Sequence, residues 1–179
     1  ERMPGPLPLP DALRILTPLA SALDYLHHQG VVHGAVRPER VRLTAYGTPI
    51  LGGLEFADIS GTADYLAPER CQGERATGWS DVYAVGVLAY ELLTGRVPFI
   101  GAPAEVAEAH VTRQVPGAGQ PREVEAALHR ALAKSPAVRF ASAGEFVEAL
   151  GAGESRPGPA EPDTQRLGPL AKLLRLRAG

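Results

Sequence analysis

Between Val82 and Leu93 lies the most apolar segment of the chain, with Val85, Val87, Leu88, Leu92 and Leu93 covering most of the circumference of a helical wheel. A helix that is apolar all round is stable only when other elements surround it, so the segment predicts a central buried helix. Thr94-Gly95 supplies its end. The stretch is too short to cross a bilayer, which takes about 20 residues, and no other apolar run in the chain comes close. The chain must therefore wrap this helix in its own residues.

The remaining pattern supplies the wrapping. Residues 1–10 form an extended Pro-rich start, since Pro4, Pro6, Pro8 and Pro10 exclude a helix interior. From about Asp11 to His28 a helix is expected, its stripe made of Leu13, Leu16, Ala20, Leu23 and Leu26/His27, kinked at Pro18 and closed by Gly30 in the left-handed region. His27 and His28 suit a helix end, where imidazolium complements the dipole. Val31-Val32, Val41-Arg42-Leu43 and, after the turn at Gly47-Thr48-Pro49, Ile50-Leu51 are expected as short strands. Residues 52–66 read as a loop. Further helices fit Ala104–Val111, Val124–Ala133 and Ala143–Leu150, with Gly144 a weak point.

Residues 151–169 are rich in Pro and Gly and read as a flexible linker, followed by a short basic amphipathic tail over 170–179. The tail suits partner docking or a membrane-adjacent position, and is too short to persist as an isolated helix. A membrane link is expected only if a further segment follows Gly179. The fold class is mostly α with a few short β-strands (α+β), the packed unit spanning 11–150.

A net charge of −2 excludes a global field for nucleic acid. The single cysteine, Cys71, excludes an internal disulfide and a cysteine-rich metal site, in keeping with a cytoplasmic location. The chain starts at Glu1, with its only Met at position 3, and reads as a piece of a longer or incompletely predicted product.

The segment His33-Gly34-Ala35-Val36-Arg37-Pro38-Glu39-Arg40 is followed by Ala67-Pro68-Glu69, then Trp79-Ser80-Asp81-Val82-Tyr83, then Ser135-Pro136-Ala137-Val138-Arg139. That order and spacing resemble the C-terminal lobe of a bacterial-type Ser/Thr protein kinase, whose catalytic loop reads H-R-D-L-K-P-E-N. The resemblance implies a protein-kinase-like fold, C-terminal lobe only, with no counterpart of the N-terminal lobe in these residues. It also implies structural roles for four residues. His33 packs under the loop, Asp81 braces the loop backbone, and Glu69 pairs with Arg139.

At the chemical positions the sequence departs from the family. Phosphoryl transfer needs a carboxylate to orient the acceptor hydroxyl and ligands to hold Mg²⁺ on the phosphates. The base position is Ala35, the metal-binding Asn is Arg40, and the D-F-G aspartate falls at Gly52. Gly34 replaces the loop Arg that would receive a regulatory phosphate from Ser60, Thr62 or Tyr65, and Arg37 replaces the loop Lys. Arg37, Arg40 and Arg42 make a basic cluster, read as a solvated face, or as a seat for an acidic partner or phosphate.

No catalytic residue, cofactor or metal is therefore expected. The leading function is a pseudokinase module that binds another protein in signalling, its cleft-facing surface covered by the missing lobe or by a partner. The alternative is an active Ser/Thr kinase, using ATP and Mg²⁺ through displaced acids such as Glu55 or Asp58. A third reading is a truncated kinase remnant.

Overall fold

A computed structural model describes residues 5–44, 48–53 and 63–153. Helix α3 (Gly78–Thr94) lies at its centre, and every residue from Ser80 to Leu93 is buried. Its start is fixed by Thr77, whose N–H donates to Ser80 Oγ at 3.1 Å, and its end by Gly95 at φ 75°. Midway along, a Cβ on Gly86 would lie 3.1 Å from Ala131 and Leu132 side-chain carbons. The missing side chain is what lets the neighbouring helix approach.

Helix α1 (Leu9–His28) crosses α3 and also packs along α6 (Ala143–Gly151). It starts two residues before the expected boundary, because Pro10 stands in the first turn, where no backbone donor is needed. Its buried stripe is Ala12, Ile15, Leu16, Leu19, Ala20 and Leu23, turned from the expected one toward Ala12 and Ile15. The helix runs through Pro18 unbroken. Pro18 has no N–H to offer the carbonyl of Arg14, a residue that is exposed. Gly30, at φ 73°, closes the helix as expected, with Val31 N–H reaching back to Leu26 O.

The strands are fewer than expected. Strands β1 (Val41–Leu43) and β2 (Pro49–Leu51) pair antiparallel, with Val41 opposite Leu51 and Arg42 opposite Ile50. Val31-Val32 is not a strand. Both side chains are exposed, and the N–H groups that follow them are taken by a carboxylate rather than a ladder. A 3₁₀ turn over Pro38–Arg40 leads into β1.

The other half of the molecule is helical: α2 (Pro68–Cys71), α4 (Pro103–Thr112) and α5 (Arg122–Ala131), with 3₁₀ turns at Ala63–Tyr65 and Pro136–Val138. Glu55, Asp58, Ser60, Thr62, the linker beyond Gly153 and the tail lie outside the described residues. Among the described residues no helix is long and apolar enough to cross a membrane.

Candidate functional site

Asp81 stands in the first turn of α3 and is 1% exposed. Its Oδ1 accepts the Gly34 N–H at 2.7 Å, and its Oδ2 accepts the His33 N–H at 2.9 Å. His27 Nε2, from the end of α1, lies 2.8 Å from the same Oδ2. One carboxylate, itself favoured by the helix N-terminus, thus ties α1, the loop and α3 together.

His33, 3% exposed, orders the next layer. Its Nδ1 accepts the Ala35 N–H at 3.3 Å, so the ring proton sits on Nε2 and is donated to Gly52 O at 3.1 Å. The Gly52 N–H in turn donates to Arg40 O at 2.8 Å. The His33 imidazole therefore touches Ala35 and Gly52 directly, and Gly52 links on to Arg40. The side chains of Ala35, Arg40 and Gly52 are a methyl group, a guanidinium and a hydrogen atom.

The Arg40 guanidinium lies against the backbone of Gly53, where a Cβ would come within 2.4 Å of Nη1. Gly53 has φ 88°. Both the conformation and the contact require a residue without a side chain there. Arg40 Nε is buried with no hydrogen-bond partner, and Arg37 Nε is in the same condition, 3.9 Å from Glu39 Oε2. Arg40 makes no ion pair among the described residues, and no group of three potential metal ligands occurs among them.

Farther out, Glu69 and Arg139 form a bidentate pair, Nη1 to Oε1 and Nη2 to Oε2, each 2.8 Å. Arg139 also donates to the carbonyls of Ala133, Lys134 and Trp79, and Ser80 Oγ donates to Glu69 Oε1 at 2.8 Å. Burial pushes the Glu69 carboxyl up, but hydrogen bonds from Arg139, its own backbone and Ser80, together with the Arg139 charge, outweigh it and hold the group below its usual range. Arg139 also stacks over Tyr83, at 4.8 Å from the ring centroid.

Three polar contacts escaped the sequence reading because they join residues far apart along the chain. Tyr83 Oη and His110 Nδ1 meet at 2.8 Å inside the core, with Phe99 edge-on to the imidazole. Burial first, and then the Lys134 charge, push His110 down to about 4, against a backbone hydrogen bond with Asp64. Tyr65, expected as a loop hydroxyl, is buried and donates to the Glu91 carboxylate. Asp24 of α1 accepts the Ala143 and Gly144 N–H groups, both at 2.9 Å, capping α6 from outside. The one legible hint was a histidine on the apolar stripe of α4, beside Val106 and Ala109.

Known proteins resemble this chain in sequence and in backbone. The family model described as "Protein kinase domain" matches residues 4–141. A serine/threonine-protein kinase of Corynebacterium efficiens, drp72, is 35% identical over 181 residues, covering 90% of this chain and 34% of that protein. PknB of Mycobacterium leprae, also a serine/threonine-protein kinase, is 33% identical over 163 residues, covering 79% of this chain and 26% of its own. Among solved structures, the kinase domain of Mycobacterium tuberculosis PknI superposes with a TM-score of 0.67 at 33% identity, covering 84% of this chain and 57% of that one. The chain thus spans about a third or less of these curated relatives' length. A loop braced by an acid on the central helix, a buried Glu–Arg pair and a matching backbone have one common explanation: the chain belongs to the protein kinase domain family, in the part that corresponds to its C-terminal lobe.

Proposed function

We propose that this chain is a non-catalytic, pseudokinase-like module that acts in cytoplasmic signalling by binding another protein. The observation that carries the reading is the hydrogen-bonded chain Ala35–His33–Gly52–Arg40, in which none of the three substituted positions carries a carboxylate. A methyl group cannot orient an acceptor hydroxyl. A guanidinium and a hydrogen atom offer Mg²⁺ no oxygen, and the ion prefers its own waters to such a site. Ala35, Arg40 and Gly52 do not fit the metal, and no transfer step is assigned to them.

The scaffold around the site is nonetheless complete in its supporting contacts, from the Asp81 brace to the Glu69–Arg139 pair. A fold held this firmly suits recognition. Val31, Val32 and Ile50, on segments flanking the loop, are exposed apolar residues available to a covering lobe or partner.

The test is phosphotransfer by the chain and by any longer product that contains it, with Mg²⁺ or Mn²⁺ and generic protein acceptors. No turnover above the buffer rate is expected. Metal-dependent turnover that is lost in Glu55→Ala or Asp58→Ala would overturn the proposal in favour of an active kinase with displaced ligands.

A further inference from the structure

A mostly apolar groove of about 280 Å³ runs between α1 and α6. Leu13, Thr17, Ala20 and Ser21 form one wall, at the three- and four-residue steps of a helix face. Gly144, Val147, Glu148 and Gly151 form the other. The groove stays open because small residues stand where larger side chains would fill it, and a Cβ on Gly151 would already lie 3.5 Å from Leu13. Thr17, Ser21 and Glu148 are exposed at its mouth. The α6 rim is acidic. Glu148 makes no ion pair among the described residues, and Glu145, one turn earlier, accepts the Ala141 N–H at 3.1 Å. Asp24, at the Gly144 end, is occupied by two N–H groups of α6. On the α1 side Arg14 lies 3.8 Å from Asp11 and is paired within its own helix.

We propose that this groove receives the chain's own basic tail, residues 170–177. Leu170, Leu173 and Leu174 are spaced for one face of a helix, and Lys172, Arg175 and Arg177 supply cations for the acidic rim. Gly144 to Gly151 covers about 10 Å of α6, and the equal step from Leu170 to Arg177 has the same length when helical. Reach is no obstacle. The described chain leaves at Gly153, just past the groove, and the linker over 154–169 spans on the order of 20 Å as a flexible coil. Such a tether gives an effective concentration of about millimolar, so a modest apolar contact suffices. A tail this short does not hold a helix alone, and docking supplies the apolar contact it lacks. Docked in this way, it is withheld from other partners. The inference uses none of the substituted loop residues and stands whether or not the chain transfers phosphate.

The experiment is amide hydrogen exchange, read by NMR on the full 179-residue chain. Amides of 170–177 are expected to exchange at least tenfold more slowly than the coil rate. Ser21→Arg, which fills the groove from an exposed position, should return them to that rate. Glu148→Lys should weaken the protection at least threefold, and adding Lys172→Glu and Arg175→Glu to it should bring the protection back. Gln72→Arg, exposed beyond α2, should leave it unchanged. Thermal melting identifies a folding defect in Ser21→Arg, and the charge-swapped chain keeps the test independent of one. Coil-rate exchange in the unaltered chain would overturn the proposal. So would protection that survives Ser21→Arg, that is lost equally in Gln72→Arg, or that is not restored by the charge swap. Protection that rises with protein concentration would assign the groove to a second copy, and protection seen only with anionic lipid vesicles would assign the tail to a membrane; either result defeats docking within one chain.

Discussion

Arg139 spends every guanidinium nitrogen on the protein: two bonds to Glu69 and one each to the carbonyls of Ala133, Lys134 and Trp79. Removing it strands the Glu69 carboxylate, which is only 6% exposed and has Ser80 as its remaining side-chain donor. Arg139→Ala is therefore expected to destabilise the fold by about 3–5 kcal/mol, read from the urea midpoint. A double Glu69→Gln, Arg139→Met variant should recover part of that loss, because no bare charge is left. The pairing was legible in the sequence through the resemblance alone, since nothing local links positions 70 residues apart. The seat of Arg40 on Gly53 was not legible. Sequence shows that a cation is present, and only the backbone path shows what it lies on.

At the scale of elements, α1 and α6 are joined by a polar clamp as well as by apolar packing. Asp24 holds the first two N–H groups of α6, and a Cβ on Gly144 would lie 2.5 Å from Asp24 Oδ2. Helix propensity alone predicts that Gly144→Ala stabilises α6 by about 1 kcal/mol. The clamp reverses the sign. Asp24 cannot withdraw without releasing two hydrogen bonds, so a net loss of about 1 kcal/mol is expected in chemical denaturation. In an Asp24→Ala background the same substitution should turn stabilising.

The sequence marked Gly144 as a flaw in a helix, and the structure makes it a docking point. Long periodic helices were legible because burial imposes their period. The Val31-Val32 strand failed because two β-branched residues make no strand without a partner edge, and Asp81 had already taken the neighbouring donors. The short helix Pro68–Cys71 and the 3₁₀ turns were missed, although each of the helices at 38, 68 and 136 begins with a proline.

For the molecule as a whole, acid acts in two stages. His110 is buried against Tyr83, Phe99 and Lys134, and its pKa falls from 6.5 to about 4 on folding. The unfolded chain then binds more protons between those values, so stability is complete above pH 6.5 and declines as pH drops toward 4. The limiting loss is about 3 kcal/mol. Glu69 is lowered from 4.5, so its contribution is present above pH 4.5 and disappears as pH falls further, through its folded value. Urea midpoints measured from about pH 7 down to about pH 2.5 should fall along the first limb and then the second in the unaltered chain. In His110→Gln the first limb should flatten while the lower one persists.

One consequence concerns reversibility. Gly34 sits at φ 71°, and a Cβ there would lie 3.1 Å from that of Ala76. A side chain at this position costs roughly 1–2 kcal/mol in backbone strain alone, besides displacing its neighbour. Glycine is thus the relaxed occupant, and Asp81 holds it at no such cost. Placing arginine at 34, aspartate at 35 and asparagine at 40 would spell the family's motif over a backbone that resists the first of those letters. A catalyst built on this chain would need to recruit its carboxylates and, at the same time, wind the spring beneath them.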